Sequence, residues 1–234
     1  MTEVEFDSDV TVQLIDAMGN DNSIIKAMLV STLGHESIES EASQGRINFL
    51  MKNRHGTPFE HNSMTFFVAA PIFVFREFHR HRIGFSYNEM SGRYKQLPAK
   101  FYIPNPDRPL VQVGKPGEYR YVVGDFEQYS STVGCIKALC RQAYETYEFM
   151  IKNGVAKEIA RSVLPVSIFS EMYVTCNARS LMAFLSLRTT NERAAVPSTP
   201  MYEIEQVAKQ MEQSLQLLFP MTYQAFNEFG RQAP

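Results

Sequence analysis

The chain has 234 residues, 44% of them hydrophobic, and a formal net charge of -2, so it suits one large domain with a real core. The near-neutral balance excludes a global electrostatic pull toward nucleic acid or membrane, so any anion must be held by local positive charge. Cys135, Cys140 and Cys176 form no CxxC pair and point to reduced thiols in a cytoplasm-like compartment. The acidic start MTEVEFDSDV has neither the basic nor the apolar region of a signal peptide. No apolar run approaches the ~18 residues that span a membrane. The expectation is a soluble, cytoplasmic protein.

In chain order, Val10 to Ile15 alternates apolar and polar side chains and predicts a strand. Asn22-Ser23 is placed to cap a short helix through Leu33. Ser37 opens a polar helix whose buried positions are Ile38, Ile47, Phe49, Leu50 and Met51. Met64 to Ala70 is rich in strand formers. Pro71 then permits the first turn of a helix that carries Phe73, Phe75 and Arg76 toward an arginine cluster. About 95–123 the chain is rich in Pro, Gly and Tyr and reads as an irregular surface excursion. Phe126 to Lys152 predicts a helix ending at Asn153-Gly154. A second helix runs from about Val155 to Leu164 and is stopped by Pro165. Phe169 to Cys176 reads as a strand and Arg179 to Arg188 as a helix with Leu181, Phe184, Leu185 and Leu187 as its apolar set. Glu203 to Leu218 is amphipathic, with Ile204, Val207, Met211, Leu215 and Leu218 in register. Helices outnumber strands, and the strands are not each followed by a crossover helix. An α+β fold, an antiparallel sheet packed with helices in a single domain over 1–234, is therefore expected over a doubly wound one.

The densest chemistry lies between Arg80 and Tyr94, RHRIGFSYNEMSGRY. Arginine offers a planar fork of donors that fits phosphate and stays charged at any cellular pH. Glycine permits close backbone approach, and Ser91 adds a hydroxyl. A solvated basic loop is the alternative for any arginine cluster. Here apolar PIFVF leads straight in, and Tyr87, Met90 and Tyr94 interleave with the polar residues, which is the pattern of a site for an anionic ligand.

Other segments carry weaker signals. Arg54 to His61 reads RHGTPFEH, but the spacing is not H-E-x-x-H and Pro58 disrupts a shared helix face, so no metal site is expected. A pocket-lining loop offering Thr57, Glu60 and His61 competes with a simple capped turn. Arg161 and Arg188 each emerge from an apolar helix end, where snorkelling to solvent is the usual outcome. None of the cysteines has a neighbouring histidine that marks a nucleophile, so packing roles are expected for all three. GxGxxG and GxxxxGK[ST] are absent, which leaves a Rossmann or P-loop site without support.

Taken together, these residues resemble the flavin-dependent thymidylate synthase family. Its signature is Arg-His-Arg, seven or eight residues, then Ser; here Arg80-His81-Arg82 is followed by eight residues and Ser91. HGTPFEH from His55, NEMSGRY from Asn88, ARSVLP from Ala160 and NARSLMAFLSLR from Asn177 agree in order, and FYIP from Phe101 is also similar. The resemblance implies an α+β subunit in a homotetramer with shared sites, binding FAD, dUMP, NADPH and methylenetetrahydrofolate. The reaction implied is reductive methylation of dUMP to dTMP, the folate supplying one carbon and NADPH-reduced flavin the hydride. The hard redox chemistry then belongs to the cofactor.

The same resemblance implies roles residue by residue. Arg188, Ser91 and His55 take catalytic positions, Arg188 favouring ionisation at uracil N3 and His55 lying on the folate and flavin side. Glu77, Arg80, Glu89, Ser91, Gly92, Arg93, Arg161 and Arg188 take dUMP positions, with Arg93 and Arg161 suited to phosphate. Thr57, Arg80, His81, Arg82, Asn88, Glu89, Asn177 and Arg179 take FAD positions. The chain departs from the family where Glu77 and Ala183 replace a common glutamine and asparagine. It departs again after Arg188, where TTNERAAVPSTPMYEIEQ carries an insertion, and in the eight-residue signature spacing, which places a bulge within Ile83 to Tyr87. Two other readings compete: a nucleotide- or RNA-binding module using the same arginines, and a family member that binds flavin but has lost methylation.

Overall fold

The computed structural model describes residues 2–34 and 41–234, which fall into two compact units. The first unit comprises the chain up to Asp9, Ala70–Phe75 and Glu89–Glu171; the second comprises Val10–Ala69, Arg76–Asn88 and Met172–Pro234.

A four-stranded sheet, most of whose residues belong to the second unit, has the order β2-β3-β8-β4, with β2 at Thr11–Met18, β3 at Ser63–Pro71, β4 at Phe85–Glu89 and β8 at Phe169–Cys176. β2 and β3 are antiparallel. Alternation decides which face is dry: Met64, Phe66 and Val68 of β3 are fully buried, as is Val174 of β8, with Met172 and Cys176 nearly so. Each such side chain contributes roughly 1.5–3 kcal/mol over exposure. On the other face, Thr65 and Thr175 share a hydroxyl hydrogen bond of 2.9 Å, and Phe67 meets Tyr173 edge-on at 6.3 Å.

Helices α1 (Asp21–Leu33), α2 (Gln44–Lys52), α6 (Ala178–Arg188), α7 (Tyr202–Leu218) and α8 (Pro220–Glu228) complete the second unit. The cap of α1 lies two residues ahead of the expected Asn22: Asn20 and Ser23 form a capping box. This frees Asp21 for a longer-range task. Its buried carboxylate accepts from the Met221 and Thr222 amides at 2.8 and 3.1 Å and from the Thr222 hydroxyl at 2.7 Å, capping α8, which the sequence reading missed. In α2, Ile47, Leu50 and Met51 are buried as expected, but Phe49 is exposed because it falls on the outer face. Leu187 is likewise exposed. Ser37 and Ile38 of the same predicted helix lie outside the described residues.

The first unit is organised by α4, which spans Phe126–Lys152 as expected and begins with an Asp125/Gln128 capping box. Its Cys140, Tyr144 and Tyr147 pack with Leu97, Phe101, Ala160 and Ile168. The stretch about 95–123 is more ordered than the irregular excursion expected. It holds β5 (Lys100–Tyr102), paired in parallel with β1 (Glu5–Asp7), and a hairpin of β6 (Pro109–Val113) and β7 (Arg120–Val123). Buried Phe101 and Tyr102 anchor it. The helix expected over Val155 to Leu164 is shorter. It runs as α5 (Lys157–Ala160) and then tightens into a 3-10 turn at Arg161–Val163 ahead of Pro165. Cys140 and Cys176 are buried, whereas Cys135 is exposed, against the packing role expected for it. Among the described residues no helix is long and apolar enough to cross a membrane.

Candidate functional site

In the second unit the segment Arg76–Asn88 carries the Arg-His-Arg signature between Phe78, where helix α3 (Ile72–Phe78) ends, and β4. Two devices fix its path. The Tyr87 hydroxyl lies 2.8 Å from the Phe78 carbonyl and 2.7 Å from the His81 carbonyl, so it ties the loop to the end of the helix. Gly84 sits at φ +69, where an added Cβ would strike the Ser180 hydroxyl. Ile83 and Gly84 form a turn ahead of β4.

That loop delivers His81 to Arg188, the last residue of α6. Arg188 Nε donates to His81 Nε2 at 3.0 Å, and Nη1 pairs with the Glu77 carboxylate at 2.7 Å. An acceptor Nε2 requires the neutral imidazole with its proton on Nδ1. Burial, followed by the Arg188 cation, pushes His81 down to about 4, which keeps it neutral. Phe184, one turn earlier on α6, stacks on Phe78 at 4.9 Å and meets His81 edge-on at 4.9 Å. Arg188 is therefore held mostly inside the protein, its fork oriented by an acid and a neutral base. A free acid at position 77 would repel a phosphate; here its carboxylate is spent on this guanidinium.

The other end of α6 opens onto a cavity of about 560 Å³ lined by Arg54, Glu60, Gly84, Asn177, Arg179 and Ala183, among others. Asn177 caps α6 by accepting from the Ser180 amide at 2.9 Å. Arg179 pairs with Glu60 and donates through Nε to the Pro234 carbonyl at 2.6 Å. Gly56 gives its guanidinium room, since a Cβ there would overlap it. Pro58 sits in the 3-10 turn Thr57–Glu60. Arginines, a side-chain amide and helix-end polarity are a donor set suited to a large anionic cofactor.

In the first unit, the turn after β4 places Ser91, Gly92 and Arg93. The Ser91 carbonyl accepts from the Tyr94 and Lys95 amides, both at 3.1 Å, and its hydroxyl accepts from the Arg93 amide at 3.3 Å. Two tyrosines of α4 hold the following stretch: Tyr144 donates to the Leu97 carbonyl at 3.0 Å, and the Leu97 amide donates to Tyr147 at 3.2 Å. Arg161 opens the 3-10 turn with its aliphatic stem 3.2 Å from where a Gly92 Cβ would lie. Arg93 pairs with Glu158 at 2.9 Å, both about half exposed, a link worth roughly 0–1 kcal/mol that an incoming anion displaces easily.

The remaining expected residues fall as follows. Arg80 and Arg82 are exposed and pair with no described residue. Asn88 is exposed and Glu89 half-buried on β4. His55 and Thr57 are exposed, and the His55 ring meets Phe49 edge-on at 5.5 Å. Gly92, His81, Arg188 and Glu77 are brought into close contacts; Arg80, Arg82 and His55 are left open to a ligand. The sequence reading missed Tyr87 as an anchor and Glu158 as a partner. A tyrosine six residues past the signature histidine is the only cue, and nothing in the sequence pairs 93 with 158.

Residues 13–221 match the family model described as thymidylate synthase complementing protein, Thy1. The chain belongs to this family. A flavin-dependent thymidylate synthase of Streptomyces avermitilis is 55% identical over 234 residues, covering 98% of this chain and 95% of that protein. One from Tropheryma whipplei is 48% identical over 233 residues, covering 98% and 97%. Among solved structures, the UMP/dUMP methylase PolB from Streptomyces cacaoi, bound with 5-Br UMP, superposes with TM-score 0.92 at 48% identity, covering 99% of each chain. Its complex with 5-Br dUMP gives 0.93. The α+β class expected from the sequence is thus the fold of the family, and its relatives are enzymes.

Proposed function

We propose that this chain, acting as one functional domain, is a flavin-dependent thymidylate synthase. It converts dUMP to dTMP with methylenetetrahydrofolate as one-carbon donor, NADPH as reductant and FAD as cofactor. Near-complete coverage by relatives at 48% to 55% identity carries this reading. The clamped guanidinium of Arg188 supports it. A cation beside uracil N3 stabilises negative charge spread over the ring and raises the nucleophilicity of C5. Glu77 and His81 orient that cation, and Ser91 contributes a hydroxyl near the nucleotide. Arg93 and Arg161 take the phosphate, with Gly92 allowing close approach and Arg80 and Glu89 completing the nucleotide contacts. Bound FAD would supply the redox chemistry, with NADPH as its reductant. Thr57, Arg80, His81, Arg82, Asn88, Glu89, Asn177 and Arg179 hold it; the cationic lining of the cavity at Arg54 and Arg179 fits a diphosphate-bearing group. His55 serves the folate side. The enzyme works in the cytoplasm as a homotetramer with shared sites.

The purified protein should be yellow, and NADPH should bleach it under anaerobic conditions. Protein that takes up no added FAD, or that turns over no dUMP when loaded, overturns the reading. The likeness to PolB, whose structure is described with both 5-Br UMP and 5-Br dUMP, favours a second substrate, so UMP is assayed beside dUMP. A flavin binder that has lost methylation, the reading prompted by Ala183 and the insertion after Arg188, would load FAD and turn over neither.

A further inference from the structure

We propose that Arg231 is a positioning residue for Arg188, acting through Thr189 at the C-terminal end of α6. The proposal rests on the nucleotide role given to Arg188 above. Arg231 is the one buried cation among the described residues, at 1% exposure. Burying a guanidinium is costly, and a buried ion pair is often no more stabilising than packed apolar side chains. Its backbone is also left-handed, at φ 55, a conformation that disfavours a side chain. A position that only filled space would gain from a smaller apolar residue.

The contacts of Arg231 say what it holds. Nη1 pairs with Glu212 at 2.7 Å and donates to the Asn227 side chain at 2.6 Å, and the guanidinium lies over the Phe226 ring at 4.8 Å. Nη2 donates to the Thr189 hydroxyl at 2.9 Å. That hydroxyl donates in turn to the Leu185 carbonyl at 2.7 Å, and the Thr189 amide donates to the same carbonyl at 3.0 Å. Arg231 thus ends a chain of hydrogen bonds at the negative pole of α6, where a cation is favoured.

The insertion after Arg188 closes the other side. The Ser198 hydroxyl donates to the Thr189 carbonyl at 2.9 Å, the Ala195 amide to the Gly230 carbonyl at 2.9 Å, and the Thr190 amide to Glu205 at 2.9 Å. Every polar group of Thr189 is therefore bonded. Arg188 is fixed at its tip by Glu77 and His81 and at its root by Thr189. A flexible four-bond side chain needs both anchors to keep its fork aimed, and a misplacement near 1 Å can lose about 100-fold in rate.

The test is a double-mutant cycle read in dUMP affinity, with FAD affinity and melting temperature followed alongside. Thr189→Val keeps the shape and removes the hydroxyl. It should stay folded, bind FAD as the parent does, and weaken dUMP by about fivefold or more. In an Arg188→Ala background the same change should weaken dUMP by less than about twofold, because the effect runs through Arg188. Arg231→Lys, which keeps the charge and loses the fork, is read in the same cycle and decides the matter if Thr189→Val does not fold. Equal losses in both backgrounds, or no loss in either while Arg188→Ala weakens dUMP, overturn the proposal. If Arg188→Ala leaves dUMP affinity intact, the nucleotide role of Arg188 fails first and this inference falls with it.

Discussion

Arg188 and Arg161 are the same residue type in opposite surroundings. Arg188 is mostly buried, at 17% side-chain exposure, and bonded by Glu77 and His81. Arg161 is exposed at the start of a 3-10 turn, its stem resting against Gly92, and pairs with no described residue. A cation that must stabilise charge as it develops has to be aimed beforehand, because reorienting it during the reaction would consume the gain. A cation that captures a phosphate does better free, since an internal ion pair has to be broken before the ligand binds. The difference assigns Arg188 to the reacting ring and Arg161, with the loosely paired Arg93, to the anion.

The comparison breaks most visibly at Arg188. Arg188→Ala should weaken dUMP and, at saturating dUMP, also lower turnover by about 100- to 1000-fold, while FAD binding, followed by absorbance, stays near the parental value. Retained turnover removes the aimed cation from the mechanism. Arg161→Ala should act on capture alone, weakening dUMP by about 10- to 100-fold, as expected for a hydrogen bond to a charged group. Binding of deoxyuridine, which lacks the phosphate, should hardly change. A parallel loss for the nucleoside would mean that Arg161 reads the ring or supports the fold.

Local signals made part of this legible in the sequence. Phe126–Lys152 and Phe169–Cys176 were read with the observed bounds because a strong cap, a 3.6-residue period and a period of two mark them without outside help. The hairpin β6-β7 was not, because its exposed tyrosines and valines show no dry face. The cap of α8 was invisible because its carboxylate comes from Asp21, far away in the chain. The site divides in the same way. The signature arginines and Ser91 carry a spacing that can be recognised, whereas the Glu77–Arg188 pair and the Arg231–Thr189 bond join residues that nothing in the order of the chain connects. The insertion after Arg188 breaks the family's pattern, yet folded it supplies the Ser198 bond to the Thr189 carbonyl, so a break in sequence pattern is here a change of support.

The aimed state of Arg188 also has a signature in pH. Its Nε needs an acceptor, which His81 provides only when neutral. Burial and the Arg188 cation hold His81 at about 4, against 6.5 for the unfolded chain. Between those values the unfolded chain binds a proton that the folded chain refuses, so the contribution to stability is complete above pH 6.5 and is lost as pH falls toward 4. Melting temperature should therefore drop across that window. His81→Asn keeps an acceptor for Arg188 but cannot titrate, so it should flatten the slope. Arg161 pairs with no described residue, so Arg161→Ala should leave the slope unchanged. An equal slope in the parent and His81→Asn would show that His81 does not stand neutral against Arg188, and the contrast between the aimed and the free arginine would lose its electrostatic half.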